Sequence, residues 1–313
     1  MNSWLWKPRR LLSHSFGAVF FLISTLPLLL LILLGAALLV RSWPILYTIP
    51  FRELFLGTTW LPNEGKFGYL PFIVGTIWVT GVAMILSIPP CILTAIYLVE
   101  YARPGLQALM KPLLDLLAAI PSVVYGVWGM VAIVPMVQVL NPAANRWLGA
   151  LPFFSSENPT GYSILAGGIV LAVMVTPFVI AVTYEVLTAV PMGIREASLA
   201  VGATKWQTIK YAVMPQALPG IVAGVVLGAS RALGETMAVM MVVGNIPKIP
   251  GSIFDPAYPL PALIANNYGE MMSIPLYDAA LLGAALVLLL IVLFFNILST
   301  LTLRRFLAGK KRV

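Results

Sequence analysis

Six apolar runs, each long enough to cross a lipid bilayer, leave this chain few folds to choose from. They lie at about Phe16–Val40, Pro71–Val99, Pro112–Leu140, Tyr162–Leu187, Pro219–Val243 and Leu276–Leu303. A bilayer's hydrocarbon core is about 30 Å thick, which a helix crosses in about 20 residues. Within it every backbone N–H and C=O must be satisfied inside the span, which favours helices over open sheets. With 60% of residues apolar and only 10% charged, a soluble globular domain is excluded. The expected fold is an all-α polytopic membrane protein with six transmembrane helices.

Lys and Arg orient the runs, because they are retained on the cytoplasmic side of short loops. With the N-terminus inside, thirteen of the 19 fall in inner segments, five in outer loops, and Arg231 alone within a span. Both termini are therefore expected in the cytoplasm. The same retention accounts for the net charge of +8 without nucleic acid, and Lys310, Lys311 and Arg312 read as a flank touching lipid headgroups. The first run, at about 25 residues, exceeds the apolar core of a secretory signal, so a retained helix is expected. A single cysteine, Cys91, permits no internal disulfide and suits a packing role; the single histidine, His14, suits a surface contact better than catalysis. No metal cluster is expected.

Arg231 and Glu235 are the energetic anomaly. A charge at mid-membrane costs about 2.5–3.5 kcal/mol on insertion scales, and a spacing of four puts both on one face of a continuous helix. Gly220, Gly224, Gly228 and Ala232 recur at the same spacing, a pattern that lets helix backbones approach closely. At about 100° per residue, Arg231 and Glu235 fall about −60° and −20° from Gly228, facing protein or a water-filled path. Two readings stand: a gate and anion contact, or a static intrahelical pair that locks packing. Buried ion pairs are poor stabilisers, and a guanidinium presents paired donors suited to a tetrahedral oxyanion. Ser122 and Tyr125, just after Pro121, are candidate path residues, helix packing being their alternative role.

The inner segment from Thr188 to Leu218 has its own punctuation. Pro191 suits the start of a helix and Gly202 its C-terminal cap. Thr204 and Gln207 make a capping box for a second helix, with Trp206, Ile209 and Val213 as its apolar stripe and Pro215 helping to end it. The segment is expected to form a short helix-turn-helix on the cytoplasmic face.

The order Glu196, Ala197, Ser198, three residues, Gly202, nine residues, Ala212, Val213, Met214, Pro215 resembles the EAA loop of ABC importer permeases, from which Ser198, Ala212 and Met214 depart. The string SRALGETMAVMMVVGN (Ser230–Asn245), with AIPSVVYG (Ala119–Gly126) and TPFVI (Thr176–Ile180), is similar to phosphate importer permeases of the PstC type, and the likeness extends over Pro71–Leu303. The resemblance implies type I ABC importer permease architecture: an N-terminal helix and loop over residues 1–70, a five-helix core over 71–303 and a basic tail over 304–313. It also implies ATPase coupling through Glu196, Ala197, Gly202 and Pro215, and a substrate path with gating at Arg231, Glu235, Ser122 and Tyr125. The implied partners are a second permease of the PstA type, two ATPase subunits of the PstB type, a periplasmic phosphate-binding protein and inorganic phosphate. ATP and Mg would belong to the ATPase subunits; no G-x-x-x-x-G-K-[S/T] phosphate loop occurs in this chain, which is expected to be non-catalytic and without a cofactor. A permease for sulfate or molybdate remains an alternative. So does a self-contained secondary carrier, which would not need the EAA spacing.

Overall fold

Apolar length demands helices, and the computed structural model, which describes residues 7–270 and 274–310, is almost wholly helical. In chain order it runs α1 (Lys7–Thr48), α2 (Phe51–Leu56), β1 (Trp60–Leu61), β2 (Lys66–Phe67), α3 (Leu70–Glu100), α4 (Pro104–Ala119), α5 (Ser122–Trp128) and α6 (Val134–Leu148). It continues as α7 (Ile164–Thr188), α8 (Met192–Ala200), α9 (Lys205–Thr208), α10 (Met214–Leu233), α11 (Met237–Met240), α12 (Leu260–Asn267) and α13 (Tyr277–Lys310). Among the described residues, six stretches are long and apolar enough to cross a membrane: Phe20–Thr48, Leu70–Glu100, Ser122–Trp147, Ile164–Thr188, Lys205–Leu233 and Tyr277–Leu298. The side chains of His14 and of the 304–313 tail lie outside the described residues.

Two spans are displaced from their expected positions. The third begins at Ser122 rather than Pro112, because α4 is a separate helix. Ile120 and Pro121 are extended, with ψ of 129° and 139°; the proline ring disfavours a helical residue before it, so the chain turns there. The fifth begins at Lys205 and ends at Leu233, some ten residues before Val243. Pro215 does not end its helix. A π-helical turn over Ile209–Val213 precedes it, with the Met214 N–H bonding back to Ile209 O, and this wider turn relieves the ladder where a proline ring would otherwise clash. A similar π turn, Gly129–Ile133, joins α5 to α6.

Helix α7 is central, with 67% of its 18-residue apolar stretch buried. α3 lies beside it in the same direction, as spans two and four of an alternating chain must: Gly168 abuts Val82, and Cys91 Sγ lies 3.7 Å from Thr176 O. Helix α10 meets α7 in the opposite sense. A Cβ at Gly220 would lie 2.6 Å from Val186, at Gly224 2.6 Å from Val182 and at Gly228 2.8 Å from Val179. The small-residue repeat is a helix–helix seam.

At the other end of the bundle, Trp60 packs edge-on against Phe67 and Phe72, and Tyr69 donates a hydrogen bond to Ala280 O at 2.7 Å. This aromatic cluster binds the α1–α3 connection to α13, along which α1 also packs through buried Ile45. The α6–α7 and α11–α12 connections are cross-tied: Asn158 Nδ2 donates to Tyr162 O and Phe254 O, and Ser156 Oγ to the Asp255 carboxylate.

Gly224→Val overpacks the seam and is expected to cost about 1–3 kcal/mol, read as a lower melting temperature in detergent. Gly81, where an added Cβ meets nothing within 4 Å, should accept alanine without loss.

Candidate functional site

The loop between α7 and α10 folds around one glycine. Helix α8 starts after Pro191 and gives way at Gly202, whose φ of +86° lies in the left-handed region that suits glycine. Thr204 and Gln207 form the expected capping box: the Gln207 N–H donates to Thr204 Oγ1, and the Thr204 N–H to Gln207 Oε1 at 2.8 Å. Ser198 and Thr208 bridge the two helices at 3.0 Å through their hydroxyls. Ile209 and Val213 are buried, but Trp206 is 54% exposed and leaves the expected stripe, because the π turn shifts the register between it and Val213. Glu196, Ala197 and Gly202 are exposed, while Pro215 lies half-buried at the start of α10. Beside them Val201 is 84% exposed. Apolar side chains on a polar loop outside the spans suit a protein partner.

Sequence reasoning missed the residue that fastens this loop. Arg195 points inward, its Nη1 donating to Val190 O at 2.6 Å, Nη2 to Leu187 O at 2.9 Å and Nε to Glu100 Oε1 at 3.0 Å. The lone acidic residue closing the second apolar run, Glu100, was the available signal. Nearby, Lys111 pairs with Glu185 at 2.8 Å; the carboxylate holds that ammonium's pKa above its usual value, but both groups are exposed and solvent screens the pair. A cavity of about 440 Å³ separates the loop from the ends of α3 and α7, lined by Glu100, Thr188, Met192, Arg195, Lys205 and Thr208 among others.

The second candidate region departs from expectation. Arg231 lies in the last turn of α10, which Gly234 caps, and Glu235 falls outside it. The spacing of four no longer aligns the two side chains, and they make no ion pair; Glu235 Oε1 instead accepts the Ala238 N–H at 3.4 Å, beside the start of α11. Helix propensity at Gly234 is poor, and α11 gains by turning to bury Ala238 and Val239 against α5 and α7. Arg231 is exposed, not on the close-packed face: a 60° offset from Gly228 carries it past the seam, where its guanidinium lies 5.8 Å from the Phe178 ring. Tyr125 is buried at the start of α5 within electrostatic range of Arg231, its hydroxyl donating to Leu117 O at 2.8 Å across the α4–α5 break. Ser122 is half-buried in the first turn of α5. Among the described residues, no three His, Cys, Asp or Glu side chains gather as a metal site would need.

Because the Tyr125 hydroxyl is committed to a backbone carbonyl, Tyr125→Phe is expected to lower stability by about 0.5–1.5 kcal/mol, measurable by thermal unfolding.

Residues 91–308 match the family described as the binding-protein-dependent transport system inner membrane component. The phosphate transport system permease protein PstC of Pasteurella multocida is 36% identical over 281 residues, covering 88% of this chain and 87% of its own. That of Haemophilus influenzae is 34% identical over 285 residues, covering 89% and 90%. Among solved structures, a bacterial ABC transporter involved in the import of the acidic polysaccharide alginate superposes with a TM-score of 0.61 at 17% identity, covering 96% of this chain and 98% of that one. The inward-facing MetNI methionine ABC transporter does so with a TM-score of 0.54 at 20% identity, covering 74% and 93%. At such identities the structures speak for the fold alone. With the family match spanning over two thirds of its length, this chain belongs to the inner membrane components of binding-protein-dependent transport systems, the non-catalytic permeases.

Proposed function

We propose that this chain is the membrane-spanning permease subunit of an ATP-driven phosphate importer. The observation that carries the substrate is the likeness, at 34–36% identity over most of both chains, to permeases named for phosphate transport. Supporting the mechanism is the exposed, capped loop of α8 and α9, which offers Glu196, Ala197 and the Gly202 elbow to a partner. In this reading two ATPase subunits dock there, closing on ATP and Mg and driving alternating access. A second permease completes the path, a periplasmic binding protein delivers phosphate at the cross-tied outer loops, and both termini face the cytoplasm.

Arg231 is the proposed anion contact. Its guanidinium has no carboxylate partner among the described residues and lies within electrostatic range of Tyr125 in α5, the helix that Ser122 begins. Glu235, displaced to the α10–α11 turn, is placed to change partners as that turn moves. The proposed division is an N-terminal helix and loop over residues 1–70, a core over 71–303 and a basic tail over 304–313.

In a fully assembled complex, Arg231→Ala should reduce uptake of labelled phosphate roughly 10- to 100-fold, since a hydrogen bond to a charged group is worth about 1.5–3 kcal/mol; near-normal uptake would remove Arg231 from the path. Glu196→Lys should weaken copurification of the ATPase subunits while leaving the permease folded. Competition of phosphate against sulfate in binding-protein-stimulated ATP hydrolysis decides the substrate; preference for sulfate would overturn it.

A further inference from the structure

The loop of α8 and α9 reaches the bundle by two routes of unlike stiffness. On one side α9 runs through the Ile209–Val213 turn into α10 without leaving the helix, so displacement of the loop passes directly to the span that carries Arg231. On the other, α8 joins α7 only through Ala189, Val190 and Pro191, with Pro191 extended at φ −56° and ψ 137°. A three-residue link of that kind is a hinge. Left to itself it would let the loop swing without moving α7, or α3 packed beside it.

Arg195 bridges that hinge. It sits in the first turn of α8 and reaches back over the link, closing it with hydrogen bonds to Leu187 O and Val190 O. Its Nε and Nη2 then cross to Glu100 Oε1, both at 3.0 Å, joining the loop to the last residue of α3. The two side chains are only 11% and 9% exposed, unlike the other two ion pairs among the described residues, whose members are all more than half exposed. A buried pair is held in one geometry and little screened, so it can transmit displacement where a surface pair would yield. Lys205 lies 4.6 Å from the Tyr101 ring and adds a contact from α9 to the same end of α3.

We propose that Arg195 is a positioning residue anchored by Glu100, a strut that makes the α7–α8 hinge rigid and carries movement of the loop into the parallel α3–α7 pair. It works with the direct route into α10, so that both sides of the α7–α10 seam move together when the ATPase closes. This rests on the reading of the loop as the ATPase-docking element.

The test uses the complete transporter in proteoliposomes, with ATP hydrolysis and labelled phosphate uptake measured on the same vesicles. Glu100→Ala frees the α3 end of the strut and leaves the two Arg195–carbonyl bonds in place. Assembly and ATP hydrolysis should persist while phosphate moved per ATP falls roughly tenfold, within the 5- to 150-fold range typical of energetic coupling between sites. Arg195→Lys, which keeps the charge but not the fork of donors, should move the same ratio in the same direction. Should Glu100→Ala assemble poorly, Glu100→Gln gives the reading with a smaller loss. Uptake per ATP equal to that of the unaltered complex overturns the strut, as does a lower melting temperature with that ratio unchanged, which would make the pair a structural tie only. Failure of the docking reading shows separately: the ATPase would then copurify normally with Glu196→Lys.

Discussion

Everything in this bundle hangs on how closely α10 and α3 approach α7. In lipid no hydrophobic force drives helices together, so packing and backbone proximity must hold them. The glycines supply that proximity, Gly167 and Gly168 against α3 and Gly220, Gly224 and Gly228 against α10, each set beneath valines of the facing helix. Antiparallel α10 and parallel α3 thereby flank one central helix, and their ends near Glu100, Thr188 and Lys205 converge on one side of the membrane. The loop between α7 and α10 is short, and its attachment points are set by the seam rather than by the loop itself.

The irregular places carry the departures from regular helix geometry that aim side chains. Two π turns, an extended Ile120–Pro121 pair and the Gly234 cap interrupt what hydropathy alone reads as unbroken runs. Each changes the direction or register between the segments it joins: Trp206, before the π turn, faces outward although Ile209 and Val213 are buried, and Glu235 leaves the face that Arg231 would share with it in a straight helix. Periodicity counts residues, and one inserted residue per turn shifts every later side chain by about 100°.

That explains which parts of the structure were legible. Hydropathy reports burial in lipid, and the six spans, the Gly220–Gly228 repeat, the Gly202 elbow and the Thr204–Gln207 box all depend on residues near one another in sequence. The α4–α5 break was also local, but a run of apolar residues around Pro121 concealed it. Arg195 and Glu100 were not legible, since 95 residues separate them and neither forms a motif alone. Adjacent Glu196 drew attention because it is exposed and patterned; Arg195 matters because its side chain turns the other way.

Arg231 poses the remaining physical question, and the broken helix narrows it. A static pair with Glu235 would have accounted for the charge without any role in transport, but α10 ends between the two residues and the carboxylate accepts the Ala238 N–H instead. Phe178 at 5.8 Å offers a ring face worth about 0.5–1 kcal/mol where water has access, less than the cost of holding a guanidinium near apolar spans. In the proposed reading, water and the transported anion supply the balance. A cation left without a fixed counter-ion binds an oxyanion more readily than a neutralised one, and releases it more readily than a pocket of several fixed donors. Transport needs both, which favours a single arginine standing beside the seam rather than inside it.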